Sequence, residues 1–87
     1  MKNRTGTSKP LASSVGELLA LAREIKGDSL RAVAAKTGVS CPFISQIEQG
    51  KTLPGLEACV ALCDYYGVSL NRIADIIRVQ RREKGSQ

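Results

Sequence analysis

The chain has 87 residues, enough for one small domain and too few for a second core. It contains no histidine, the commonest general base and metal ligand, and its three cysteines form no Cys-x-x-Cys pair, which argues against a zinc site and a disulfide framework. Thirteen basic residues against eight acidic ones give a formal charge of +5. No signal-peptide pattern and no run of about 18 apolar residues is present, so a soluble, cytoplasmic protein is expected.

Residues 1–10 are polar, without an apolar period, and carry Lys2, Arg4 and Lys9. They read as part of a flexible basic arm over residues 1–12. Ser14-Val15-Gly16-Glu17 has the Ser-x-x-Glu spacing of a capping box and predicts a first helix from about Val15 to Ile25. Leu18, Leu21, Ala22 and Ile25 would be its buried face, with Gly27 and Asp28 ending it.

Ser29 caps a second helix over Leu30 to Thr37, whose Leu30, Val33 and Ala34 share one face. Gly38 stops it, because glycine enters the left-handed conformation without a Cβ penalty. Val39 is the apolar plug of the turn. Ser40 caps a third helix that tolerates Pro42 in its first turn, where backbone N–H groups lack intrahelical partners. This helix should bury Phe43, Ile44 and Ile47, turn Cys41, Ser45, Gln46 and Gln49 outward, and end at Gly50.

Lys51 to Gly55 reads as a loop. A fourth helix over Leu56 to Tyr66 carries Leu56, Cys59, Val60, Cys63 and Tyr66 on its expected core face, with Cys59 and Cys63 as small buried hydrophobes. Ser69 caps a fifth helix running to about Arg82, with Leu70, Ile73, Ala74 and Ile77 on the core stripe. Ile76 and Val79 lie off that stripe and are expected at a dimer seam. Residues 13–78 thus form the domain, and residues 79–87 the end of helix 5 with a basic tail. Arg78, Arg81, Arg82 and Lys84 against Glu83 give residues 78–87 a charge of +3, equal to that of residues 1–10, while the body between them is near neutral. Basic ends suit a polyanion or serve only solubility.

The stretch VAAKTGVSCPFISQIEQGKTLPGLEACVALCDYYGVSL resembles the helix-turn-helix of the Cro/repressor (XRE-type) DNA-binding family. The marks are small Ala34 at the helix crossing, the Gly38-Val39-Ser40 turn, the segment Ile44 to Lys51, and the closing GVSL at Gly67 to Leu70. The resemblance covers roughly Val15 to Ala74. It implies an all-α, five-helix, lambda-repressor-like fold with the helix-turn-helix at helices 2 and 3. It also implies an ion pair between Arg23 and Glu48 that pins helix 1 to helix 3. Lys2, Arg4 and Lys9 match basic arms that touch DNA in some members.

By position, the resemblance assigns base reading to Cys41, Pro42, Ser45 and Gln46. Gln46 is the strongest candidate, because a carboxamide both donates to and accepts from adenine. Ser29, Arg31, Ser40, Phe43, Gln49, Lys51 and Thr52 are the expected phosphate contacts, Ser40 at a helix N-terminus where the dipole favours an anion. The chain departs from the family where a glutamine usually opens helix 2 and holds a phosphate; Leu30 stands there. Cys41 and Pro42 also offer no bidentate pattern, so DNA shape is expected to carry more of the specificity. Cys41 has two readings, a redox-sensitive thiol facing DNA or a small residue in van der Waals contact.

The expected function is a sequence-specific, dimeric transcriptional repressor. It would occupy a near-palindromic double-stranded operator and use no cofactor, metal or membrane. A protein-binding adaptor and the antitoxin of a toxin pair are the alternatives on the same fold. An enzyme is not expected: no nucleophile–base pair, phosphate loop or metal cluster is legible.

Overall fold

The computed structural model describes residues 10–85, with side chains through residue 82. The expected arm contacts at Lys2, Arg4 and Lys9, and the side chain of Lys84, lie outside the described residues. Five helices follow in order: α1 (Leu11–Lys26), α2 (Leu30–Thr37), α3 (Cys41–Glu48), α4 (Leu56–Tyr66) and α5 (Leu70–Gly85). No strand occurs among the described residues, and no helix is long and apolar enough to cross a membrane.

Local chemistry accounts for the middle of the chain. The Ser29 hydroxyl accepts from the Ala32 N–H at 3.1 Å, and the Ser40 hydroxyl from the Phe43 N–H at 3.3 Å, so each helix start has a side-chain cap. Gly38 closes α2 at φ +81°, with its N–H on the Ala34 carbonyl. Thr37 accepts the Val39 N–H at 3.2 Å, which tucks Val39 into the core.

The first helix differs from the sequence expectation. It begins at Leu11, immediately after Pro10, so Leu11 and Ala12 belong to α1 rather than to the arm. Ser14 is interior, its N–H donating to the Pro10 carbonyl at 3.1 Å, and there is no capping box. The buried face is Val15, Gly16 and Leu19, while Leu21 and Ile25 stand in solvent at 53% and 78% exposure. The reason is steric. Aliphatic residues occur on several sides of this helix, and α3 approaches the side whose residues are smallest. A Cβ on Gly16 would stand 2.2 Å from the Ile47 carbonyl oxygen, so only glycine permits the approach.

Val15 and Leu19 meet Val33, Val39, Ile44, Ile47, Leu62, Cys63 and Ile73 in a single core. In α4 the buried residues are Cys59, Leu62 and Cys63, whereas Leu56, expected inside, is 79% exposed at the rim of an open apolar groove. Burial pushes the Cys63 thiol up to about 11, helped by the adjacent Cys59. In α5 Ile73 is buried, and Ile76 is half-buried against the core rather than left wet. Val79 is 49% exposed. Two polar ties close the fold: Tyr65 donates to the Asp28 carboxylate beneath the Lys26 ammonium, and Gln80 donates to the Ser14 hydroxyl at 3.2 Å.

Candidate nucleic-acid interface

The inner face of α3 is fixed by Ile44 and Ile47, both at most 1% exposed. Residues three and four apart share a helix face, so the opposite side presents Pro42, Gln46 and Gln49 as one exposed stripe, bordered by half-buried Cys41 and Ser45. At 1.5 Å per residue this helix is about 12 Å long, a size that fits a major groove.

Its orientation is set from behind. The Arg23 Nε and Nη2 donate to the two Glu48 carboxylate oxygens at 2.7 and 3.0 Å, and Nη1 donates to the Asp28 carbonyl at 3.0 Å. One guanidinium therefore holds the end of α1, the α1–α2 connection and the last turn of α3. Hydrogen bonding to Glu48 keeps Arg23 more firmly protonated than usual, despite the opposing effect of burial. The Tyr66 phenol lies against the pair, and burial, then the Glu48 charge, pushes it up to about 12.

The Ser29 and Ser40 hydroxyls spend a lone pair on their caps and retain a proton to donate. Phe43 is half-buried and its N–H is committed to the Ser40 cap, which leaves it no free polar group apart from its helical carbonyl. Gln49 donates to Ser45 at 2.8 Å, so these two side chains are tied to each other. Gln46 makes no such bond among the described residues and is exposed. Lys51 is exposed as well, and its N–H donates to the Gln46 carbonyl at 3.0 Å, which places it one step from the stripe. Thr52 is half-buried and donates to the Leu53 carbonyl at 3.3 Å, while Arg31 is exposed and Leu30 packs against the core. The start of α3 borders a cleft of about 510 Å³ between the turn and α4, lined by Thr37, Ser40, Phe43 and Glu57.

The profile of the helix-turn-helix domain family matches residues 14–76, most of the chain. The chain belongs to this family. The helix-turn-helix is α2, the Gly38–Ser40 turn and α3. The chain is 30% identical over 53 residues to the HTH-type transcriptional regulator DdrOP3 of Deinococcus deserti; the match takes in 61% of this chain and 41% of the relative, about two fifths of its length. The fold is also that of the clp gene regulator ClgR from Corynebacterium glutamicum. One ClgR structure superposes with a TM-score of 0.71 at 24% identity, covering 91% of this chain and 84% of ClgR. A second gives 0.67 at 26% identity, covering 87% and 95%.

Three positioning residues of this helix-turn-helix escaped the sequence reading. Gly16 sets the α1–α3 distance. Ser13 faces Gly50, whose φ is +78° and whose added Cβ would stand 2.7 Å from the Ser13 hydroxyl. Gln80 reaches Ser14 from α5. The small-residue run Ala12, Ser13 and Gly16 on one helical side was the available signal for the first two; nothing local marked the third. Ile77 and Leu70 also line an apolar groove of about 360 Å³ with Leu53, Pro54, Leu56 and Cys59, a surface the periodicity did not indicate.

Proposed function

We propose that this chain is a sequence-specific DNA-binding transcriptional regulator that reads duplex DNA with the exposed stripe of α3. The observation that carries this reading is the arrangement of α3 within a helix-turn-helix. Ile44 and Ile47 lock it from inside, Arg23 fixes its last turn, and Gln46 stands free and exposed at its centre. Gln46 is the residue assigned to base recognition, with Pro42 and Cys41 in apolar contact and Ser45 beside them. Ser29, Arg31, Ser40 and Lys51 are assigned to phosphates, with lesser parts for Gln49 and Thr52; Phe43, its N–H on the Ser40 cap, has no donor left for a phosphate.

The regulator acts as a homodimer through α5, with Val79 and the outer edge of Ile76 at the seam, and represses by occupying a near-palindromic operator. Two recognition helices then sit about 34 Å apart, one turn of DNA. Selection of bound duplexes from a random pool at two salt concentrations tests this. Enrichment of an inverted repeat with half-sites one turn apart supports the reading. No enrichment at either salt refutes it and turns attention to a protein partner.

A further inference from the structure

The basic end of α5 and the connection that follows α3 are both tied to the first turn of α1. Gln80 donates to Ser14 at 3.2 Å; Ser13 packs against Gly50; Lys51, the next residue, donates its N–H to the Gln46 carbonyl at 3.0 Å. Each link is a direct contact, so the path from the reading residue to Gln80 crosses only the first turn of α1. Arg81 and Arg82 follow Gln80 and are exposed. Among the described residues neither meets a carboxylate, whereas Arg78 is paired with Asp75 at 3.1 Å. Glu17, one turn along α1 from Ser14, is the nearest acid on that helix.

Arg81 and Arg82, unpaired with any acid among the described residues, and the exposed Lys51 thus sit on two segments that the first turn of α1 ties together. We propose that Arg81 and Arg82 form, with Lys51, a phosphate-contacting patch that grips the DNA backbone flanking the bases read by α3. This rests on the DNA-binding reading above and adds a specific place and role to it. The patch gives affinity and register without sequence information, since phosphates are alike at every step. It also offsets a reading surface that has few hydrogen-bonding groups of its own.

The test uses the full chain and the duplex recovered by random-pool selection, with affinity measured from about 50 to 200 mM salt. Arg81→Ala/Arg82→Ala should lower the slope of log affinity against log salt by about 2 per protomer, so by about 4 for the dimer, and weaken binding roughly 10- to 60-fold per protomer near 0.1 M salt. The loss should be equal on selected and scrambled duplexes, and Arg81→Lys/Arg82→Lys should restore the slope. Arg72→Ala/Arg78→Ala removes the same charge, but Arg72 lies about 14 Å back along α5 and Arg78 is already paired, so its slope should stay near that of the unsubstituted chain. Equal slopes for the two double variants would overturn the placement, leaving only a diffuse charge effect. An unchanged slope for Arg81→Ala/Arg82→Ala alongside specific binding would overturn the proposal and leave the DNA reading standing. Absence of duplex binding by the unsubstituted chain would sink both.

Discussion

Gly16 and Tyr66 show how single residues decide this fold. The α1–α3 crossing has no room for a methyl group, because the Gly16 position faces backbone rather than a movable side chain. Gly16→Ala should therefore destabilise the domain by about 3 kcal/mol, the upper part of the range for overpacking, as read by denaturant unfolding. A cost below about 1 kcal/mol would mean that α1 slides easily on α3. Tyr66 carries a buried hydroxyl with no hydrogen-bond partner among the described residues, so Tyr66→Phe should be neutral or slightly stabilising at pH 7. The same residue, with Cys63, sets the alkaline limit. Both groups are protonated in the folded and unfolded chain below pH 9. Above it the unfolded chain ionises first, the thiol from 9.0 and the phenol from 10.0, while the folded groups hold their protons to about 11 and about 12. The folded state then binds more protons, and stability must fall as pH rises from about 9 to 12. Cys63→Ala/Tyr66→Phe should flatten that limb in thermal melts; an identical limb would place its origin elsewhere.

At the scale of elements, α3 is held by contacts of different origin. Ile44 and Ile47 come from its own periodicity, whereas the Arg23–Glu48 fork spans 25 residues of sequence. A double-variant cycle with Arg23→Ala and Glu48→Ala should give a coupling of about 1–2 kcal/mol, since both side chains are mostly shielded at 20% and 11% exposure. Coupling near zero would mean that α3 is positioned by packing alone. The α2–turn–α3 stretch was legible because its determinants are local: Ser29 and Ser40 cap, Gly38 reverses, and Ile44 and Ile47 share a face. The phase of α1 was not, because Leu18, Leu21 and Ile25 compete with Val15 and Leu19; in α4 Cys59 and Cys63 are buried as expected, and Leu62 rather than Leu56 completes the face. Periodicity offers each helix more than one stripe, and the close approach of α3 at Gly16 selects among those of α1. The exposed stripe of the site followed from the α3 period, but the ties of Gln49 to Ser45 and of Gln80 to Ser14 depend on rotamers and on a distant helix.

For the whole molecule, the proposed dimer puts its seam on α5. Ile76 packs partly into its own core, so a charge there would unfold the monomer as well as disturb a seam. Val79→Glu is the cleaner probe. It should leave the fold intact by circular dichroism while converting a sedimenting dimer to monomer. A dimer that survives would move the interface to the apolar groove around Leu53, Leu56 and Leu70.

Sequence reading by α3 stands or falls on the affinity of Gln46→Ala for the selected duplex. Gln46→Ala should lose about 1–3 kcal/mol per half-site contact on the selected duplex and none on a scrambled one, and should relax the preference at one base pair in each half-site. Equal loss on both duplexes, or no loss on either, would contradict it.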